Sequence, residues 1–329
     1  MVIIVGSGLS CAEGLPGMGD LGAELIRRIG DSIDGNAEQA TWNDVCGRLE
    51  SGTALESALH NVPLSSDLER IVVEVTAAFI QRSENEVLAD CLNTDRHLRF
   101  ERLLPHLSLS PSQPVEVVTT NYDRLIEYAT EAGGWGIDTG FVGRWLGHHD
   151  PHLSSKSFIE DIASQGKTTR VRHRPRIRLY KPHGSLDWYD SVEGAISTTL
   201  TLSARRLLIT PGVGKYFEGY KPPFDAHREG ANAAIDKAAA FLCLGYGFND
   251  DHLQTHLEPR LRSGVPTLLL TYGLTDGAKA MLNTSPQTTA LVNSADSLGT
   301  DVMTMHGTEN LPGVQWWDLE HFIKGVLEP

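Results

Sequence analysis

The chain opens on four consecutive β-branched residues, Val2-Ile3-Ile4-Val5, that run straight into Gly6-Ser7-Gly8-Leu9-Ser10. An unbroken apolar run of this kind fits a strand covered on both faces, the environment of a parallel, helix-flanked sheet. A buried strand that passes through a glycine turn into a helix also offers backbone N–H groups to a phosphate. The pattern recurs. Residues 115–118 lead into Thr119-Thr120-Asn121-Tyr122-Asp123, and residues 241–244 into Gly245-Tyr246-Gly247-Phe248. Three strand ends rich in Gly, Ser, Thr and Asn predict a nucleotide-sized crevice at the carboxyl edge of one sheet.

Length and composition set the frame. The 329 residues suit one large α/β domain, or one domain with a sizeable insertion, and 40% apolar residues are enough for its core. No apolar run approaches the roughly 20 residues of a membrane span. Met1 to Val5 lacks a basic flank and is interrupted by Gly6 too early for a signal peptide, so a cytoplasmic protein is expected. Against 42 acidic residues stand 28 basic ones, a formal net charge of −14 that disfavours general binding of nucleic acid.

Strand and helix patterns alternate, which predicts a Rossmann-like parallel sheet covered by helices. Leu21, Leu25 and Ile29 share a helical face behind Asp20. Leu68, Ile71, Val72, Val75 and Phe79 mark a longer helix capped at Asp67, and a patch at 98–104 ends at Pro105. Residues 21–114 therefore read as a helical insertion, with 1–20 and 115–329 forming the sheet domain, and Pro111 and Pro114 punctuate the return. A helix is expected from Asp123 to about Glu131, further strands at 207–210, 240–244, 265–271 and 301–305, and a closing helix at 319–327.

Residues 135–169 read as an irregular loop or lid. Its His148, His149 and His152 do not fall on one helical face, so a metal is not expected there. In 170–178, Arg170, Arg172, Arg174, Arg176 and Arg178 alternate with other residues, which places all five on one face if the segment is extended. Such a face suits this protein's own acids across a subunit interface better than an external polyanion. The loop from Thr210 to Lys215 lacks the order of an ATP-binding P-loop.

At the first turn, Gly6 and Gly8 would let the chain approach a pyrophosphate, with Ser7 and Ser10 adding hydroxyls. Asn121 ends an apolar run and precedes a helix, which suits either a cap or a neutral amide that holds ribose or water. Lys181-Pro182-His183-Gly184-Ser185 singles out His183 among 13 histidines, because the glycine leaves room above its imidazole. No acidic residue follows at the spacing of a dehydrogenase fingerprint, so hydride transfer is not expected.

Taken in order, these stretches resemble the sirtuin (SIR2) family, whose GAGxS…GIP loop, TQNxD strand end, HG pair and GTS-like strand end surround NAD. Gly6-Ser7-Gly8-Leu9-Ser10 with Gly14-Leu15-Pro16 matches the first. Residues 119–123 match the second, with Thr120 in place of Gln. His183-Gly184 matches the third, and Gly245-Tyr246-Gly247 stands loosely for the fourth. The resemblance implies that NAD⁺ is the substrate, held by Gly6, Ser7, Gly8, Ser10, Gly14, Pro16, Thr120, Asp123, Gly245, Tyr246 and Gly247. It makes Asn121 and His183 catalytic, with His183 the general base.

The chain departs from the protein-deacylating members in its cysteines. Cys11, Cys46, Cys91 and Cys243 are isolated, with none between 91 and 243 where a four-cysteine zinc module would lie, so no zinc is expected. The zinc-free branch implies an NAD⁺ glycohydrolase that serves bacterial anti-phage defence. It also implies homo-oligomers and a partner such as a HerA-type ATPase. A protein deacylase or ADP-ribosyltransferase, and a non-catalytic NAD or ADP-ribose sensor, are the alternatives.

Overall fold

The computed structural model describes residues 1–30, 33, 35–59, 62–107, 113–165, 168–210, 221–295 and 298–328. Its centre is a nine-stranded sheet. The strands, in chain order, are β1 (Val2–Val5), β2 (Val115–Thr119), β3 (Gly136–Asp138), β4 (Phe141–Val142), β5 (Gly147–His149), β6 (Ile159–Gln165), β7 (Thr168–His173), β8 (Arg176–Tyr180), β9 (Gly184–Ser191) and β10 (Gly194–Ser197). They continue with β11 (Arg206–Leu208), β12 (Phe241–Leu244), β13 (Thr267–Thr271), β14 (Thr288–Asn293), β15 (Gly299–Thr304) and β16 (Gly307–Pro312). The main sheet has the order β16-β15-β14-β13-β12-β1-β2-β8-β3. It is parallel from β14 to β3, and β15 and β16 add an antiparallel edge.

Period-two alternation distributes the central strands' side chains between two cores. Ile3, Val5, Leu242 and Leu244 join one cluster, Val2, Ile4, Phe241 and Cys243 the other. The first is covered by α1 (Ser7–Glu13), part of α5 (Ser66–Asn93), α6 (Arg99–Leu103), α7 (Leu125–Ala132) and α12 (Leu319–Phe322). The second is covered by α9 (Phe224–Lys237), α10 (Asp251–Arg262) and α11 (Asp276–Thr284). From β1 the chain proceeds to β2 on one side, and from β12 it proceeds to β13 and β14 on the other. The strand order therefore reverses between β1 and β12, and a ligand crevice belongs outside their carboxyl ends.

Between β1 and β2 the described chain is helical: α2 (Met18–Ile29), α3 (Asn36–Glu50), α4 (Leu55–Leu59), then α5 and α6. Leu21, Leu25, Ile29, Trp42, Val45, Leu59 and Leu68 form a cluster of their own. Asp20 accepts the Gly17 N–H instead of starting α2, and Ser65, two residues before Asp67, caps α5.

Two expectations are corrected. The described part of residues 135–169 is not an irregular loop: it holds β3 to β6, the start of β7 and α8 (Pro151–Lys156). β4 and β5 join β9 to β11 in a second, antiparallel sheet ordered β11-β9-β10-β5-β4. The arginine stretch is not one extended face either, because Arg174-Pro175 separates β7 from β8. Arg172 pairs with Glu160 on the surface, Arg174 lies over Phe158, Arg176 is buried, and Arg178 reaches Asp138. Pro111, residues 211–215 and the Arg170 side chain lie outside the described residues.

Candidate functional site

Four strand ends, those of β1, β2, β12 and β13, surround a cavity of about 450 Å³. Twelve of the thirteen residues singled out from sequence line it: Gly6, Ser7, Gly8, Ser10, Pro16, Thr120, Asn121, Asp123, His183, Gly245, Tyr246 and Gly247. Gly14 does not. It ends α1 in the left-handed conformation, φ 106°.

The floor is made by close contact between two backbones. A Cβ on Gly6 would lie 2.4 Å from the Gly245 carbonyl oxygen, and one on Gly245 the same distance from the Leu9 nitrogen. The Gly6 N–H donates to Leu244 O and the Gly8 N–H to Gly245 O. These glycines thus serve first the joining of β1 to β12, and their N–H groups are already engaged. The glycine after His183 has a similar explanation. Gly184 has φ +87°, and its Cβ would fall 2.0 Å from the Leu207 carbonyl oxygen, so β11 requires it.

Asn121 sits in a chain of hydrogen bonds that fixes its orientation. Its Nδ2 donates to Gly6 O (3.0 Å) and to Ser10 Oγ (2.8 Å), and Ser10 Oγ donates to Asp123 Oδ2 (2.7 Å). A carbonyl can only accept, so the amide nitrogen must face Gly6, and Oδ1 is the end left for a ligand. Asp123 also accepts the Leu125 N–H at the start of α7.

Beneath this strand end lies a fully buried lysine. Lys181 Nζ donates to Asp123 O (2.5 Å), Ser185 Oγ (2.9 Å) and Glu127 Oε1 (2.9 Å), tying the Asn121 segment to the His183 turn. Burial pushes the Glu127 carboxyl up to about 7 against the pull of Lys181. Lys181→Met should cost about 3–5 kcal/mol, because it strands a buried carboxylate. The native carboxyl binds its proton where the unfolded one, near 4.3, has lost it, so stability falls as pH rises across that window. Removing Lys181 extends the window upward. Urea midpoints of variant and wild type should therefore diverge further at about pH 8 than at about pH 5.

His183 stands at the cavity wall with Nε2 2.8 Å from Asp250 Oδ2, and both side chains are largely buried. Tyr246 contributes a buried hydroxyl without a hydrogen-bond partner, its ring 4.9 Å from that of Phe248. Burial, then the charges of Asp250 and of Glu56, push that hydroxyl's pKa up, so it stays a donor. Among the described lining residues there is no lysine or arginine, whereas Glu56, Asp123 and Asp250 are acidic.

Several lining residues escaped sequence reasoning. Glu56 comes from α4, where nothing local marks it. Asn249 and Asp250 lie just before α10, which Asp250 caps by accepting the Leu253 N–H (2.9 Å). Tyr272, Gly273 and Thr275 follow β13, a strand whose carboxyl end carried no singled-out motif. His148 and His149 lie on β5 and His152 on α8, and no group of three or more metal-ligating side chains occurs among the described residues.

Residues 115–266 match the family model of the SIR2-like domain, a span that contains Asn121, His183 and Asp250. No curated protein matches the chain. Among solved structures it is similar to one from work on the structural basis of sirtuin substrate affinity, with 16% identity, 87% of this chain and 86% of that one covered, and TM-score 0.39. It is similar to Sir2Tm bound to a propionylated peptide (15% identity, 87% and 85% covered, TM-score 0.38). A third is a Sir2 variant with a deacetylated p53 peptide and 3′-O-acetyl ADP ribose (15% identity, 85% and 89% covered, TM-score 0.34).

Proposed function

We propose that this cavity cleaves the nicotinamide–ribosyl bond of NAD⁺ and passes the ADP-ribosyl group to water, releasing nicotinamide and ADP-ribose. The observation that carries this reading is the convergence of Asn121, His183 and the glycine-rich ends of β1 and β12 on one cavity. The SIR2-like match over residues 115–266 supports it.

The substrate suits the charges. Nicotinamide leaves as a neutral base from a cationic ring, so bond breaking needs little acid catalysis and leaves an oxocarbenium-like ribose. The carboxylates of Glu56, Asp123 and Asp250 favour positive charge on the ring and then on the ribose. With no lysine or arginine among the described lining residues, the pyrophosphate would be held by hydroxyl and amide donors such as Ser7 and Asn249. Asn121 Oδ1 orients the attacking water or ribose hydroxyl, and the water proton passes to His183 as the new C–O bond forms.

The Tyr246 hydroxyl supports a ligand here, because a buried unpartnered donor costs about 1–3 kcal/mol that a ligand acceptor would recover. Tyr246→Phe should melt no lower than wild type yet raise KM for NAD⁺ about 5–150-fold. An unchanged KM would make the hydroxyl a packing feature.

The zinc-free cysteine pattern favours hydrolysis over deacylation, and the reading extends to a defence effector gated by self-assembly or by a partner such as a HerA-type ATPase. Incubation with NAD⁺, with and without an acetyl-lysine peptide, tests it: nicotinamide release should be independent of peptide. Release that required peptide would establish a deacylase.

A further inference from the structure

We infer that Asp250 is a positioning residue that fixes the tautomer of His183, so that Nδ1 rather than Nε2 is the nitrogen available to take a proton in the cavity. The inference rests on the proposed hydrolysis for its kinetic consequence, but its structural core is independent of it.

The two oxygens of Asp250 face different tasks. Oδ1 accepts the Leu253 N–H (2.9 Å) and so caps α10, while Oδ2 lies 2.8 Å from His183 Nε2. The carboxylate offers no proton of its own, and its negative charge beside Nε2 favours the proton on that nitrogen in the neutral imidazole. Nδ1 is then unprotonated. A base must offer a lone pair, and its partner must hold the ring in the tautomer that does so. The residue's place on the chain reinforces this. Asp250 follows the Gly245–Gly247 strand end directly, so the turn that closes the cavity floor also delivers the carboxylate to the histidine.

The cap makes the test sharp. In Asp250→Asn the side-chain oxygen remains committed to the Leu253 N–H, and Asn caps a helix about as well as Asp. The branch facing His183 becomes an amide NH₂, a donor, which Nε2 can meet only by accepting. The proton moves to Nδ1, and the base loses the lone pair it needs. Helix and fold are retained while the tautomer is inverted.

The experiment is a long-range ¹H–¹⁵N spectrum of histidine-labelled full-length protein, with His183 identified by signals lost in His183→Gln, alongside NAD⁺ turnover. Wild type should show His183 protonated at Nε2 and Asp250→Asn at Nδ1, with equal thermal stability. Turnover number in the variant should fall about 10²–10⁴-fold with KM little changed. Asp250→Ser, which keeps a cap but imposes no tautomer, should lose less. An Nδ1-protonated wild type, an unchanged tautomer in Asp250→Asn, or an equal loss in both variants would overturn the inference. If wild type did not turn over NAD⁺ at all, the hydrolase reading would fail, while the spectra would still decide the tautomer.

Discussion

Replacing Gly245 with alanine should be among the most damaging single changes in this protein. The residue sits at φ +56°, and the new Cβ would lie 2.4 Å from Leu9 N and 2.5 Å from Gly8 C. All of these are backbone atoms, so no side chain can swing away. The left-handed strain costs about 1–3 kcal/mol and the overpacking a further 1–3, roughly 2–6 together. Relief requires β1 to separate from β12 at the floor of the cavity, so catalysis should suffer along with stability. Gly273→Ala is the internal control: it lines the same cavity but its Cβ would meet nothing within 4 Å. Its urea midpoint should stay within about 0.5 kcal/mol of wild type. Equal stability of the two variants would show that the close approach of the two strand ends is not what the glycine serves.

The second large effect falls on turnover. Asn121→Ala and His183→Ala should each reduce NAD⁺ cleavage by at least about 10²–10⁴-fold, the scale of a lost proton acceptor or a lost positioning group. They should differ in stability. Asn121 holds Gly6 O and Ser10 Oγ, so its loss should cost about 1–3 kcal/mol. Among the described residues the His183 side chain pairs with Asp250 alone, and its loss should cost less. Circular dichroism and urea titration separate the two contributions. Full turnover in either variant would remove that residue from the mechanism.

The parts of the fold that were legible in sequence are those with a local signature. β1, β2 and β12 are short apolar runs that end on glycine or hydroxyl residues, and they proved to be neighbours at the strand-order reversal. The second sheet was not legible. β4 and β5 are only two and three residues long, and β9 buries Trp188 and Tyr189 next to each other instead of alternating cleanly. The arginine stretch misled because period two was read through Pro175, which ends one strand before the next begins. At the cavity, residue types at strand ends were enough to mark Asn121, Ser10 and His183. They could not mark Glu56, which arrives from a separate helix, or show that Asp250 joins its cap to His183. The glycines also carry a constraint that sequence did not show. At Gly6 and Gly184 the carbonyl oxygens of Gly245 and Leu207 occupy the space that a Cβ would need.

The central claim, that water accepts the ADP-ribosyl group in this cavity, is tested most directly by product stoichiometry. Purified protein should be incubated with NAD⁺ alone, and in a second reaction with an assembly partner, and the products followed by chromatography and mass spectrometry. The account predicts nicotinamide and free ADP-ribose in equal amounts, no ADP-ribose attached to the protein, and neither product from His183→Ala. Intact NAD⁺ under both conditions, or nicotinamide released without matching free ADP-ribose, would contradict it.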